Sequence, residues 1–447
     1  MAIDAFDGNE KRHDGGVASI TVGSAAVPRR YFGTDGVRGI VGKTLTIDLV
    51  EQLGRAATEW SGRGRVFVGR DTRASGLELE AAFARGVVSA GGSAVLGGVL
   101  PTPAVALLAL DLGVVISASH NPPAYNGVKL FDRDGQKLTD AAEEEIEALL
   151  DTPPSAARGE IDRVGVAIDS YLEHVTDRFG SDLSGLRIAV DCANGAYSHS
   201  APRAFAALGA EVTAVGSNPD GANINLGCGA TDLSLLRETV AGGRYDLGVG
   251  FDGDGDRMLA VDADGNPVDG DQIVAILALD LGVDLVAVTK MTNLGFHRLM
   301  ADNGVRVITT DVGDRYVLEA LRREGGILGG EQSGHVICLR DHVTGDGLAA
   351  ALLLCGALRG RTLGEAASVM PRLPQVQLNI PLEGKVVPAA VLEEADKLNE
   401  ELDGAGRVLV RPSGTEPLLR VLAEAETLEE AQELSASIAT LVQRELG

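Results

Sequence analysis

The chain has 447 residues, 45% of them hydrophobic and 23% charged, with 58 glycines and aromatic residues at only 4%. That length suggests three or four domains, with enough apolar material to bury cores without disulfides or structural metals. The formal charge of −25 opposes nucleic-acid binding over most of the surface, so any phosphate has to be met by a few concentrated arginines.

In chain order, residues 1–30 mix acidic, basic and small side chains without an apolar centre. They read as a disordered leader rather than a signal or transit peptide. A first unit over 31–165 opens near Tyr31, with a buried strand expected at 65–69, a helix at 77–90 and a second strand at 113–117 running into Ser119-His-Asn-Pro-Pro123. Thr139 opens a helix to about Asp151, and Pro153, Pro154 and Ser155 mark a linker. The most apolar stretch, 96–116, is cut by Pro101, Pro103 and Asp111, so no membrane span is expected. A second unit over 166–266 has strands at 186–192, 212–215 and 247–251. A third over 267–373 has strands at 286–289, 305–309 and 327–328, then a helix at 348–358. The last stretch, 374–447, changes rhythm: strand 375–380, helix 391–402, strands 407–410 and 418–423, helix 428–446. The expected fold is α/β: three similar α/β domains with mixed sheets plus a smaller α+β C-terminal domain. Cys192, Cys228, Cys338 and Cys355 stand singly, which fits buried thiols in a reducing, cytoplasmic setting.

Two motifs are false. Gly248-Val-Gly-Phe-Asp-Gly253 has dinucleotide-loop spacing but lies within a strand and runs into carboxylates. Gly42-Lys-Thr44 lacks the earlier glycine of a P-loop, since Val37 stands there. Asp252-Gly-Asp-Gly-Asp256 carries more: three carboxylates at alternate positions follow an apolar strand, and the glycines let the backbone curl so that the oxygens converge. Three converging anions demand a hard cation, Mg²⁺ or Ca²⁺. Arg257 and Ala263 stand where a calcium-binding loop needs glycine and glutamate, leaving magnesium with an outside phosphate ligand. Asp262-Ala-Asp-Gly265 reads as a hairpin turn.

Ser119 lies at a strand end, where open α/β sheets address their ligands. It could act as a nucleophile or belong to a polar turn, and neighbouring His120 is too close in sequence for a hydrolase triad. Lys129, past an expected tight turn at 125–127, could return to the same mouth as a proton acceptor or phosphate ligand. The loop Gly330-Glu-Gln-Ser-Gly-His335 bunches acceptor, donor and imidazole in a way that suits sugar hydroxyls. Arg411-Pro-Ser-Gly-Thr415 with Arg420 offers two guanidinium forks and a loosened backbone, an oxyanion nest. Arg38 and Arg315 are candidates to add positive charge.

Five segments, Tyr31-Phe-Gly-Thr-Asp-Gly-Val-Arg-Gly39, Ile116-Ser-Ala-Ser-His-Asn-Pro122, Phe251-Asp-Gly-Asp-Gly-Asp-Arg257, Gly330-Glu-Gln-Ser-Gly-His335 and Arg411-Pro-Ser-Gly-Thr-Glu-Pro417, occur in an order and spacing that resemble the α-D-phosphohexomutase superfamily. The resemblance covers the chain from Tyr31 onward and is strongest to the bacterial members acting on glucosamine phosphates. It implies four domains around a central cleft, and interconversion of glucosamine 6-phosphate and glucosamine 1-phosphate through a phosphoserine enzyme and a 1,6-bisphosphate. The alternative is a phosphomannomutase/phosphoglucomutase acting on neutral hexose phosphates. By the same resemblance, Ser119 is the phosphoserine and Mg²⁺ is held by Asp252, Asp254, Asp256 and a phosphoserine oxygen. His120, Lys129 and His335 stand at the transferring phosphoryl. Arg38, Arg257, Arg315, Glu331, Ser333, Arg411, Ser413, Gly414, Thr415 and Arg420 hold the sugar phosphate. A hexosamine or hexose 1,6-bisphosphate, or a kinase, primes the serine. The resemblance implies a supply role for UDP-N-acetylglucosamine synthesis; a homodimer is open to the chain, and no nucleic-acid or membrane partner is expected. Two departures stand out: a longer leader, and Thr289-Lys-Met-Thr-Asn-Leu-Gly295 in place of the usual small-residue run.

Overall fold

The computed structural model describes residues 30–33, 35–156, 159–382, 386–412 and 418–446. They form four sheets, of six, five, four and three strands. In the first, Leu112–Ile116, Arg65–Arg70, Ser93–Val99 and Ile161–Arg163 run parallel, while Tyr125–Asp132 and Val37–Ile40 add antiparallel at one edge. The second repeats the plan, with Glu211–Val215, Arg187–Asp191 and Leu247–Phe251 parallel and then Met258–Asp262 and Pro267–Val268 antiparallel. The third has Arg306–Thr310, Leu285–Thr289 and Leu328–Gly330 parallel and Val336–Cys338 antiparallel. The fourth is wholly antiparallel, with Leu418–Glu424 between Gln375–Pro381 and Arg407–Pro412.

Residue choice accounts for these elements. Leu112–Ile116, Leu247–Phe251 and Leu285–Thr289 are buried along their whole length, as strands covered on both faces must be. The helices Ile47–Trp60 and Gly76–Ala90 pack closely because Gly54 and Gly86 lie between them: a Cβ on Gly54 would come within 2.3 Å of the Phe83 carbonyl, and one on Gly86 within 2.1 Å of the Glu51 carbonyl. Thr46 and Thr139 cap their helices by accepting from Leu49 N and Ala142 N.

The hydrophobic cores show how the sheets are joined. One continuous core runs from Phe67 and Val115 through Val190 and Phe251 to Val286, Leu328 and Leu352, so the first three sheets share packed apolar contacts. The C-terminal sheet has its own smaller core around Val391, Val408, Val421 and Ile438.

Some local expectations change. Residues 125–127 are not a turn but the start of the strand Tyr125–Asp132. Their glycine, Gly127, pairs with Arg38 across the sheet, and alternation along this strand carries Lys129 to the active-site face. Of the expected leader, residues 1–29 lie outside the described residues. Arg30 is tied down, because the backbone N–H groups of Arg30, Tyr31 and Phe32 donate to the Glu147 carboxylate at 2.8, 2.7 and 2.8 Å. The expected turn at 262–265 does join two antiparallel strands. Among the described residues, no helix is long and apolar enough to cross a membrane.

Candidate active site

Three loops meet where parallel strands end. The serine loop leaves Leu112–Ile116, the acidic loop leaves Leu247–Phe251, and the loop bearing His335 leaves Leu328–Gly330. Carboxyl ends of strands in open sheets are where ligands are addressed, because the loops there diverge and leave space.

Ser119 is 1% exposed. Its hydroxyl donates to Asp252 Oδ2 at 2.7 Å, with His120 Nδ1 3.3 Å away. Burial, then the charges of Arg257 and Arg38, lower the His120 imidazole to about 4, so it is neutral at physiological pH and can accept as well as donate.

The acidic loop curls as its glycines allow. Gly255 has φ +77°, and a Cβ there would meet the Tyr197 ring at 2.3 Å. Asp252 Oδ1 accepts from the backbone N–H of Gly255 and Arg257 at 3.1 and 3.2 Å. Asp254 Oδ2 accepts from Thr102 Oγ1 and Lys129 Nζ, each at 2.7 Å, and Asp256 Oδ2 from Lys129 Nζ at 3.0 Å. The three carboxylates present oxygens within 4.8 Å of one another, and Asp254 Oδ1 is buried without any hydrogen-bond partner. An orphaned buried carboxylate oxygen beside two more carboxylates and a hydroxyl is an all-oxygen donor set for a hard divalent cation. Burial, then Asp256 and Asp254, raises Asp252 to about 7, which is the electrostatic strain a cation would relieve.

Lys129 is 2% exposed and contacts Asp254, Asp256 and Asp35, the last at 3.0 Å. Burial alone would lower its amine, but these carboxylates outweigh it and hold the ammonium above the usual lysine range. The ion pairs continue outward: Lys137 bridges Asp35 at 2.8 Å and Asp314 at 2.7 Å, joining the first unit to the third.

His335 lies between two carboxylates, with Nε2 3.1 Å from Asp256 Oδ1 and Nδ1 3.0 Å from Glu331 Oε2. Burial and Arg257 oppose its charge, but Asp256 and Asp314 prevail and raise the imidazole to about 10. Arg257 Nε stands 3.4 Å from His335 Nε2.

The structure brings together Ser119, His120, Lys129, Asp252, Asp254, Asp256, Arg257, Glu331 and His335. Arg38 borders them, paired with Asp35. Glu331, expected on sugar hydroxyls, has both oxygens engaged, one by His335 and the other by Gly313 N at 3.0 Å. Ser333, on the same loop, is exposed. Arg315 pairs with Asp140 at 2.8 Å and Glu319 at 3.2 Å, so it ties two helices together. Arg411 and Arg420 are direct cross-strand partners, and burial together with Arg420 lowers Arg411. Two like charges side by side are what an oxyanion offsets. Ser413, Gly414 and Thr415 lie outside the described residues.

Several residues here escaped sequence reasoning. Thr102 donates to Asp254 through its side chain, and its backbone N–H donates to the Asp254 carbonyl at 2.8 Å. Arg73, 1% exposed, donates to the carbonyls of Ser119, Asn121, Pro122 and Tyr125. Asp71, Asn225, Asp35, Lys137 and Asp314 complete the set. The charged run Arg70-Asp-Thr-Arg73 directly after a buried strand was a usable signal for Asp71 and Arg73; nothing in the local pattern marks Thr102 or Asn225.

The same architecture recurs in known proteins. Residues 29–156, 169–265 and 269–373 match the phosphoglucomutase/phosphomannomutase alpha/beta/alpha domains I, II and III, and 378–441 match the C-terminal domain of that family. A protein of Pelotomaculum thermopropionicum named phosphoglucosamine mutase is 47% identical over 437 residues, covering 92% of this chain and 98% of its own. One of the same name from Saccharopolyspora erythraea is 49% identical over 439 residues, covering 92% and 99%. Among solved structures, a phosphoglucomutase/phosphomannomutase family protein of Burkholderia thailandensis superposes with a TM-score of 0.79 at 25% identity, covering 91% of this chain and 97% of that one. The chain therefore belongs to the phosphoglucomutase/phosphomannomutase family, the α-D-phosphohexomutases.

Proposed function

We propose that the chain is an isomerase that interconverts glucosamine 6-phosphate and glucosamine 1-phosphate through phosphoserine at Ser119 and a glucosamine 1,6-bisphosphate. The observation that carries this reading is the Ser119 hydroxyl, 2.7 Å from one of three converging carboxylates and within the cluster that holds Lys129 and His335. The name shared by relatives at 47% and 49% identity supports the amino sugar as substrate.

In the first half-reaction the free sugar hydroxyl attacks phosphorus, the bond to Ser119 Oγ breaks, and the hydroxyl proton passes by way of the cluster's carboxylates to Oγ, which is left as the hydroxyl that donates to Asp252. In the second, Ser119 Oγ attacks the other phosphate of the turned bisphosphate, the bond from that phosphorus to the sugar oxygen breaks, and the serine proton returns through the same carboxylates to the departing sugar oxygen. Phosphoryl transfer asks for in-line positioning and charge neutralisation. Lys129 and His335 enter as cations and suit the transferring oxygens, while neutral His120 orients Oγ. Arg411 and Arg420, with residues 413–415, hold the phosphate not being transferred. Asp252, Asp254, Asp256 and a phosphoserine oxygen would hold Mg²⁺, which supplies a local positive charge against the phosphoryl group. A hexose or hexosamine 1,6-bisphosphate would prime Ser119. The working units are 31–165, 166–266, 267–373 and 374–447, each contributing residues to the site.

The test compares glucosamine 6-phosphate, glucose 6-phosphate and mannose 6-phosphate as substrates with Mg²⁺ and a bisphosphate primer. The expected result is a kcat/KM at least about tenfold higher for the amino sugar. Preference for a neutral hexose would keep the chemistry and overturn the substrate, directing attention to 289–295 and 331–335. Release of inorganic phosphate without isomerisation would overturn the mutase reading itself.

A further inference from the structure

Ser119 holds a left-handed backbone, φ 51°, a conformation that a non-glycine residue keeps only where its surroundings fix it. Two side chains from different units fix it here, and they converge on the same oxygen. The Ser119 carbonyl accepts from Arg73 Nη2 at 2.9 Å and from Asn225 Nδ2 at 2.9 Å. The Asn121 carbonyl accepts from the same two groups at 2.7 and 3.3 Å.

Arg73 belongs to the first unit. Its Nε donates to Asp71 Oδ2 at 2.9 Å, and that oxygen also accepts from Ser117 Oγ at 2.6 Å. Ser117 Oγ in turn accepts from the backbone N–H of Ser119 at 2.9 Å. The peptide on both sides of the nucleophile is thus tied to one buried ion pair.

Asn225 belongs to the second unit. Its own φ is 58°, and its Oδ1 is buried with no hydrogen-bond partner, so the hydrogen bonding of this amide is done by the NH₂ that faces the serine loop. Its backbone N–H donates to the Ala193 carbonyl at 2.9 Å. Its NH₂ also lies beside the acidic loop: a Cβ on Gly253 would lie 2.7 Å from the Ser119 carbonyl and 2.8 Å from Asn225 Nδ2. The two supporting loops are themselves joined, by Thr72 Oγ1 to the Asn194 carbonyl at 2.6 Å and by Ala74 N to the Gly221 carbonyl at 2.9 Å.

We infer that Asn225, acting with Arg73, is a positioning residue for phosphoryl transfer: it locks the Ser119 backbone so that Oγ faces the acidic loop, and it makes that posture depend on the docking of the second unit onto the first. The inference rests on Ser119 being the phosphoryl carrier. It assigns Asn225 no contact with the sugar and no direct bond to a carboxylate, so its loss acts on the rate of transfer and spares substrate binding. An ångström of misplacement at a reacting atom costs on the order of a hundredfold in rate.

The test uses the full chain with Asn225→Asp and Asn225→Gly. Aspartate keeps the shape and removes the donor; glycine removes the side chain and takes φ 58° without strain. Measurements are kcat, KM, thermal melting, and the rate at which Ser119 gains a phosphoryl group from glucose 1,6-bisphosphate, read by intact mass and phosphopeptide mapping. Both variants should lose about ten- to a hundredfold in kcat and in the phosphorylation rate, with KM within about threefold of wild type and melting little changed. If Asn225→Asp fails to fold, Asn225→Gly decides alone. Wild-type kcat in the folded variants, or a loss confined to KM or to melting, would overturn the inference. Absence of phosphate on Ser119 in the wild type would instead overturn the carrier reading, and the inference with it.

Discussion

The serine-bearing end of the site and the arginine-bearing end are built differently. Around Ser119 the acidic loop, the serine loop and the His335 loop rise from sheets that share one continuous apolar core, and their polar groups are buried and cross-bonded between units. Arg411 and Arg420 instead ride on a three-stranded sheet with a small core of its own. That sheet meets the third unit through polar ties: Arg407 Nη2 to the Thr292 carbonyl at 2.5 Å, Gln332 Nε2 to Gln375 Oε1 at 2.9 Å and Arg298 Nη2 to the Gly404 carbonyl at 2.6 Å. A fixed end suits bond making, which needs sub-ångström alignment. An end joined mainly by polar contacts suits re-aiming, as a bisphosphate that turns over between half-reactions requires.

Substitutions at the two ends should differ in size and in the kinetic constant they move. The largest effect belongs to the fixed end. Ser119→Ala removes the carrier oxygen and should lower mutase kcat by about 10³-fold or more, with melting within a few degrees of wild type; retained turnover in a mutase assay would displace Ser119 from its role. Thr102→Val removes the hydroxyl on Asp254 and should weaken Mn²⁺ or Mg²⁺ binding about ten- to a hundredfold, as losses around metal ligands do, measured by titration calorimetry on the metal-free protein. Unchanged affinity would show that Asp254 needs no such support.

At the arginine end the effects should be smaller and should fall on binding. Arg407→Met cuts the tie to Thr292 and the pair with Glu424, and should raise KM for the sugar phosphate about three- to tenfold while kcat changes less; a loss mainly in kcat would mean that this tie shapes the chemistry. The smallest effect concerns pH. Asp271, 1% exposed at the foot of this junction, accepts from Asn293 N at 2.8 Å, and burial together with Asp269 raises it to about 7. The folded chain therefore binds this proton more tightly than the unfolded chain does, so the stability it contributes is full below about pH 4 and is lost as pH rises through about 7. Asp271→Asn should melt with wild type at pH 5 and about 3 °C above it at pH 8. A variant equally destabilised at both values would show that the carboxylate matters for its bonds and not for its charge.

Much of this was legible in the chain. Gly-punctuated apolar runs announced the parallel strands, and alternate carboxylates after 247–251 announced the acidic loop, because both are local patterns. Short strands that only complete a sheet edge, such as Val37–Ile40 and Val336–Cys338, carry too few residues to show a period. The residues at 125–127 misled because Asn-Gly favours turns, whereas here sheet pairing with 38–40 prevails. Arg315 and Glu331 show the limit for sites: residue type suggests ligand contact, but the ion pair of Arg315 with Asp140 and the hydrogen bond from Gly313 to Glu331 join segments far apart in sequence, which no local pattern shows. Thr102 and Asn225 were illegible for the same reason, since each acts across a boundary between units.

The most direct test follows the phosphoryl group itself. The chain is primed with glucose 1,6-bisphosphate carrying ³²P, freed of excess primer, and mixed rapidly with unlabelled glucosamine 6-phosphate and Mg²⁺. Label should map to Ser119 before mixing and pass into sugar phosphate at a rate at least equal to kcat. Label that stays on the protein while isomerisation proceeds, or that leaves as inorganic phosphate, would contradict this mechanism.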